Sequence, residues 1–395
     1  MSLNFRFAIA TDLHIGIPPT IPDHPMRFHR IEISIPNFQH VVEELRQLEV
    51  DFLLIPGDLT QNGEPENHEW LAQALAQLPF PVYVIPGNHD ALERQRTDTS
   101  IGIYDFPTYY EKHGYGHNEE DSHPVVGERS VVGKRATERP LYYTCHPVPG
   151  LRLIGLNSIF YDDEGKQPYS GRVDDAQIEW LKQVLAESRA KGGEKEDVFV
   201  MVHHNVLEHL PNQAKSKLGR RYMLENAPAL IKILQDAEVQ LVFTGHLHVQ
   251  DIAYHPQANL FDITTGSLVS YPHPYRICHY RRIDHGQAQL MIESHRITSA
   301  PGWPDLQAMS REFVQEHSLR FMRRLLTDPP LNLSDEEAEP LLPHLRHFWT
   351  AIADGDAQFD FVHFPQPVRS FFEAFSAQKQ WDNHVVLDLT QKVDR

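Results

Sequence analysis

Three short apolar runs in this chain each end in side chains that bind metals, and this placement constrains the fold more than any other feature. Residues 7–10 lead into Asp12-Leu13-His14, residues 52–55 into Gly57-Asp58, and residues 82–85 into Gly87-Asn88-His89-Asp90. Aromatic and branched runs stopped by Pro or Gly read as buried strands. In open α/β sheets the loops at the carboxyl ends of strands carry the chemistry. Two later runs repeat the pattern: residues 198–202 end in His203-His204-Asn205, and 239–243 in Gly245-His246-Leu247-His248. Five strand ends are thus expected to present Asp12, His14, Asp58, Asn88, His203, His246 and His248.

The intervening segments read as helices. Phe38, Val41, Val42, Leu45 and Leu48 recur at helical spacing, which predicts a helix over 37–49. Asn67 is expected to cap a helix carrying Trp70, Leu71, Leu75 and Leu78. The order strand-helix-strand-helix-strand implies parallel pairing with right-handed crossovers. Residues 12–29 hold several prolines and read as loop.

Residues 91–140 turn polar, with the run His117-Asn118-Glu119-Glu120-Asp121, and read as an insertion beside the site with a short helix near 104–113. Strands are expected at 141–144 and 151–156, then a helix from Asp174 and another over 227–235. Closely spaced strands at 251–255, 260–264, 276–281 and 289–295 predict a second, largely antiparallel sheet. Beyond Ser299-Ala300-Pro301-Gly302 the pattern becomes helical. One helix is expected before Pro329-Pro330, a second from the capping box Ser334/Glu337 through Leu345, Phe348 and Ile352, and a third over 368–375. The reading therefore divides the chain into a catalytic unit, 1–299, and a helical extension, 300–395.

Composition narrows the function. With 395 residues and 41% hydrophobic content, the chain can bury a sizeable core. Its net charge of −18 argues against polymeric nucleic acid, which needs a basic stripe. Two cysteines, Cys145 and Cys278, make no disulfide framework. With no signal-like N-terminus and no long apolar run, a cytoplasmic protein without membrane partners is expected. The 25 histidines are an unusual number, and histidine is the commonest metal ligand.

A lone histidine after a strand is ordinary. Seven ligand groups, each after an apolar run and interleaved with glycine, are not. Mixed imidazole and carboxylate sets suit Zn, Fe, Mn or Co. Seven groups are too many for one tetrahedral ion and suit two, if one carboxylate bridges. Such a pair of ions can activate water and clamp both oxygens of an in-line displacement at phosphorus.

All five motif blocks, in this order, resemble the calcineurin-like metallophosphoesterases, over residues 5–295. The resemblance implies a four-layer αββα sandwich of two mixed sheets, with a dinuclear centre of two divalent ions (Mn, Zn or Fe) at its edge. It implies that Asp12, His14, Asp58 and His248 hold one ion, and that Asp58, Asn88, His203 and His246 hold the other. It makes His89 a general acid or phosphoryl donor oriented by Asp90, and His204 either a support behind the ligands or a group facing the phosphate of the substrate. Gln61 stands where purple acid phosphatases carry a ligand tyrosine, and Asp90 where protein phosphatases carry Glu. Gly57-Asp58-Leu59-Thr60 with Gly63 is more similar to the cyclic-nucleotide and glycerophosphodiester phosphodiesterase branch. A small diester, such as a cyclic or 2′,3′-cyclic nucleotide, is then the expected substrate. The ligand set leaves a phosphomonoesterase or nucleotidase open. A DNA nuclease is opposed by the acidic balance, and an inactive scaffold by the intact ligand set. Tyr271 and Arg276, with His273 and Tyr275, follow Gly266-Ser267 and are candidates to touch substrate. Arg320, Arg323 and Arg324 are expected on the wet face of a helix. The extension is expected to roof the site or to form a homodimer interface.

Overall fold

The computed structural model describes residues 2–21, 29–116, 139–190, 196–283 and 287–390. The acidic run His117–Asp121 lies outside the described residues. Strand β1 (Leu3–Ile9) is followed by α1 (Ser34–Leu48), β2 (Phe52–Ile55), α2 (Pro65–Leu75) and β3 (Val82–Val84). Next come a single-turn helix, α3 (Phe106–Tyr109), then β4 (Tyr143–Val148), β5 (Leu151–Gly155), α4 (Asp175–Ala190) and β6 (Asp197–Met201). After α5 (Ala227–Asp236) come β7 (Leu241–Thr244), β8 (Asp251–His255), β9 (Leu260–Thr264), β10 (Pro274–Ile283) and β11 (Gln287–Arg296). The chain closes with α6 (Leu306–Thr327), α7 (Asp335–Ala338), α8 (Phe348–Asp354), α9 (Val368–Glu373) and β12 (His384–Asp388).

Among the described residues two six-stranded mixed sheets result, in the orders β12-β11-β10-β1-β2-β3 and β4-β5-β6-β7-β9-β8. The parallel stretches are β1-β2-β3 and β5-β6-β7-β9. Side chains alternate across a strand, and the second sheet uses both faces. Phe199, Met201 and Phe243 point into the core shared with the first sheet, while Val200, Val202 and Val242 pack with Leu181, Val184 and Leu230 of α4 and α5. Between the sheets Phe7 stacks on Phe52 at 5.1 Å and meets Phe243 edge-on at 5.6 Å, and Phe199 meets Tyr280 at 5.3 Å. Offset and edge-on pairs of this kind add about 0.5–1.5 kcal/mol each beyond area burial. With α1 and α2 against the first sheet, the layers run helix, sheet, sheet, helix.

Three expectations are corrected. The strands after residue 250 do not form one antiparallel sheet. β8 and β9 extend the second sheet beside β7, whereas β10 crosses back to pair antiparallel with β1. Strand spacing carries no signal for that crossing. Helix α2 starts at Pro65, a residue suited to the first helical position, with Glu64 as N-cap. Asn67 instead donates to Glu64 Oε2 and accepts from the Ile17 amide, both at 2.9 Å, tying down the loop after β1. The capping box at Ser334 is present, but its helix ends at Ala338. Pro340 and Pro343 cannot donate to the helical ladder, and regular helix resumes only at Phe348.

The C-terminal segment is not helical throughout. β12 pairs with β11, setting Leu387 opposite Leu290. Helices α6, α8 and α9 bury Met322, Phe348 and Phe372 in a third cluster that includes Leu247 and Val249, from the loop after β7. Among the described residues no helix is long and apolar enough to cross a membrane.

An ion triad of buried His209 and Asp262 with half-buried Asp251 lies at the start of β8, the strand that follows that loop. His209 donates from Nδ1 to Asp251 Oδ2 at 2.6 Å, and its Nε2 lies 3.3 Å from Asp262 Oδ2. Burial alone would lower the pKa of His209, but the two carboxylates, Asp262 foremost, raise it to about 10. A folded pKa raised above the ordinary 6.5 stabilises fully below that value, and the contribution is lost as pH rises through about 10. Unfolding free energy should therefore decline from pH 6.5 to 10 with a slope that His209→Gln removes. An equal slope in the variant, measured by urea titration across that range, would contradict this role.

Candidate metal centre

Each expected ligand leaves the carboxyl end of a strand. Asp12 and His14 follow β1, Asp58 follows β2, Asn88 and His89 follow β3, His203 follows β6, and His246 and His248 follow β7. Asp12, His14, Asp58, His246 and His248 all have positive φ, between 42° and 66°. Non-glycine residues rarely adopt this left-handed region, and when they do the surrounding structure must hold them there. Here the loops hold one another: the Asp12 amide donates to Gly57 O at 3.1 Å and the His14 amide to Asp58 O at 3.0 Å. Glycine is required where they meet. Gly57 has φ +96°, and a Cβ there would lie 2.4 Å from His203 Nδ1. A Cβ on Gly87 would lie 2.2 Å from the Asp58 amide.

The donor atoms fall into two groups that share Asp58. Asp12, His14, Asp58 and His248 offer atoms within 4.8 Å of one another, and so do Asp58, His203 and His246. Asn88 Oδ1 stands 3.1 Å from His203 Nε2, which brings the amide into the second group. His248 Nε2 is 3.0 Å from Asp12 Oδ1, and His203 Nε2 is 3.4 Å from Asp58 Oδ2. Hydrogen bonds set the tautomers. His203 Nδ1 donates to Pro56 O at 2.7 Å, leaving Nε2 for a ligand; His246 Nε2 faces Arg221 O at 3.3 Å, leaving Nδ1.

Electrostatics suit a cation. Both ring nitrogens of His14 and Asp58 Oδ2 are buried without a hydrogen-bond partner among the described residues. Such atoms cost free energy unless something pairs with them. Burial pushes the pKa values of His14 and His246 well below the ordinary value, so their lone pairs are available at neutral pH. Burial would raise that of Asp58, but the facing His203 and His89 outweigh it and hold the carboxyl well below the usual range. The residues present therefore fit a pair of divalent ions.

Around this core several expectations change. Asp90 does not orient His89. Its carboxylate accepts from the Thr60 amide at 2.9 Å and the Gly87 amide at 2.8 Å, locking the second and third loops together. The His89 ring is held by the Gln61 carbonyl, 2.6 Å from Nδ1, which leaves Nε2 as its other polar atom in the cavity. A backbone carbonyl leaves no signature in a sequence. His204 is buried: Nδ1 meets Ser158 Oγ at 2.8 Å and the ring lies 4.3 Å from His246, behind the ligands rather than before a substrate. Tyr271 donates to Asp354 at 3.2 Å and accepts from Arg311 at 2.6 Å, which anchors it to the C-terminal segment. Arg276 is fully buried, donating to Thr264 O at 2.9 Å, to Thr265 and Ser294 Oγ atoms and to Asp382 O. It is a strut between the sheets and the C-terminal segment, not a substrate contact.

Other groups escaped the sequence reading. His29 sits in the proline-rich loop with no motif around it, yet its donor atom groups with those of His14 and His248. A cavity of about 720 Å³ opens over the ligands, and α6 roofs it. Arg320 and Arg324, expected on a wet helix face, line that cavity with His317, Phe321 and Trp349. Both arginines are exposed, on a face of α6 that the cavity shares. Arg323 instead pairs with Asp335 at 3.0 Å and with Glu339.

The calcineurin-like phosphoesterase family model matches residues 5–250. The chain is 25% identical to a probable cyclic nucleotide phosphodiesterase of Synechococcus sp. over 62% of its length and 74% of the relative's. It is 27% identical to sphingomyelin phosphodiesterase 2 of Caenorhabditis elegans over 53% of its length, but spans only 33% of that longer protein. The fold is similar to that of a dimetal phosphatase from Danio rerio, with a TM-score of 0.52, 15% identity, and coverage of 74% of this chain and 96% of that one. The chain belongs to the calcineurin-like phosphoesterases.

The two roles separated above predict different behaviour. Asp90→Ala should cost about 1–3 kcal/mol of unfolding free energy, because two buried amides lose their acceptor. His89→Ala, which frees only one backbone carbonyl at the cavity wall, should cost less than about 1 kcal/mol. Equal destabilisation in denaturant titrations would contradict the assignment.

Proposed function

We propose that this calcineurin-like phosphoesterase hydrolyses small phosphodiesters, with cyclic and 2′,3′-cyclic nucleotides as the first candidates. Asp12, His14, Asp58 and His248 hold one divalent ion, and Asp58, Asn88, His203 and His246 the other, with Mn, Zn or Fe matching the donor chemistry. The observation that carries this reading is the pair of donor groups sharing Asp58 at the floor of the cavity that also contains His89. When bound, two such ions supply Lewis acidity toward the phosphoryl oxygens and bring a water within reach of ionisation at neutral pH.

The chain's own side chains do the rest. Asp58 fixes the spacing of the two donor groups, since its amide-linked neighbours on the first and third loops cannot move apart: its Oδ1 accepts the His89 amide at 2.8 Å. His89, with Nδ1 fixed by Gln61 O, presents Nε2 to the departing alkoxide and holds the proton that it takes up. The roof of α6 limits the substrate to what a cavity of about 720 Å³ accepts, which favours small diesters over polymers. The phosphodiesterase names of the two relatives support a diester over a monoester.

Chelation should abolish turnover of bis-p-nitrophenyl phosphate, and Mn or Zn should restore it; turnover indifferent to chelators would sink the proposal. On Mn-loaded protein the diester should be hydrolysed in clear preference to p-nitrophenyl phosphate. The reverse preference would reassign the chain as a phosphomonoesterase. His89→Ala should lower kcat by about 10²–10⁴-fold without loss of metal.

A further inference from the structure

The cavity over the donor groups carries positive charge that the phosphoryl group being cleaved does not need. Arg320 and Arg324 stand one turn apart on α6, and Arg221 reaches the same space from the loop after β6. Three guanidiniums around one cavity run against a chain of net charge −18. Glu316, one turn before Arg320, lines the same wall and offsets one of the three. Of the donor groups, Asp58, Asn88, His246 and His248 line the same cavity, and His246 Nε2 lies 3.3 Å from the Arg221 carbonyl oxygen.

A neighbouring arginine on α6 gives the contrast. Arg323 is neutralised within the protein by Asp335 and Glu339. No carboxylate lies within ion-pair distance of Arg221 or Arg324 among the described residues; Arg221 instead stacks its guanidinium 4.8 Å over Tyr169 and 5.4 Å over Tyr222. A stacked guanidinium keeps its edge donors open for a planar or tetrahedral anion. Phe321 and Trp349 add an aromatic wall to the same cavity, their rings 5.2 Å apart.

The cavity is larger than the group being cleaved. A cavity of about 720 Å³ has room for roughly two dozen waters at ~30 Å³ each, several times the volume of one phosphoryl group. A ligand seated on the donor groups therefore has room for a further group beside these arginines. We propose that Arg221 and Arg324 bind a second anionic group of the substrate, a phosphate or carboxylate distinct from the diester being cleaved, with Phe321 and Trp349 flanking the apolar or aromatic part between them. The substrate class is then a phosphodiester that bears a further anion, rather than one with neutral arms. This rests on the phosphodiesterase reading and narrows it.

The test uses two chromogenic diesters that differ only in that anion: thymidine 5′-(p-nitrophenyl phosphate), with and without a 3′-phosphate. On the Mn-loaded full chain, kcat/KM should be at least about tenfold higher with the 3′-phosphate, mostly through KM, as for one charge-assisted contact. Arg221→Gln and Arg324→Gln should each pull that ratio toward unity, and Arg323→Gln should leave it as in the wild type. A matched pair of p-nitrophenyl diesters of 3-hydroxypropanoate and propanol asks the same of a carboxylate. A preference in the first pair alone assigns a phosphate site, and in both pairs a general anion site. No preference in either pair, or a preference that Arg221→Gln and Arg324→Gln leave intact, overturns the proposal. Calorimetric binding of thymidine 3′,5′-bisphosphate against thymidine 5′-monophosphate gives a readout without turnover. Tighter bisphosphate binding that the arginine variants lose, in a protein that cleaves no diester, would keep the anion site and reject the phosphodiesterase reading.

Discussion

A single buried carboxylate, Asp58, is the point on which both donor groups depend. It lies where the edges of the two sheets meet, its Oδ1 taken by the His89 amide and its Oδ2 within reach of His14 on one side and His203 on the other. An ionised carboxylate in that place costs free energy unless positive charge surrounds it. The fold supplies imidazoles on both sides and leaves Oδ2 without a hydrogen-bond donor. Everything nearby keeps this arrangement closed. Gly57 and Gly87 let the loops touch, the left-handed turns at Asp12, His14 and Asp58 aim the side chains inward, and Asp90 ties the second loop to the third.

How much of this was legible in the sequence follows from what each residue does through its side chain alone. The grouping of the seven donor residues was legible because a strand must end before its next side chains can turn into one site, so apolar runs and donor residues alternate along the chain. His89 was legible by position, but the group that orients it was not, because Gln61 acts through its carbonyl oxygen. Asp90 looked catalytic beside His89 and proved to be a buried brace. Arg276, a charged residue after a Gly-Ser turn, looked like a substrate contact; full burial with backbone and hydroxyl acceptors makes it structural. His29 was hidden among 25 histidines with no strand before it.

Architecture was legible to a similar depth. Local periodicity gave the strands up to β11 and most helices, but the partner of a strand is a long-range choice. Nothing in residues 274–283 says that they cross back to pair with β1 rather than β9. Nothing in residues 384–388 says that a segment read as helical returns as β12 to the sheet edge. The helical segment matters to the site because it shares a core with Leu247 and Val249, which flank His248, and because α6 forms the cavity roof. Stability of the loop that carries His246 and His248 is thus coupled to the packing of the last helices, and the size and charge of the cavity are set by elements distant in sequence from every metal-binding motif.

The most direct test of the account is anomalous diffraction from crystals of the full chain soaked in Mn. Two peaks are predicted, one among Asp12, His14 and His248 and the other among Asn88, His203 and His246, with Asp58 between them. A single peak, or two that do not share Asp58, would contradict the account.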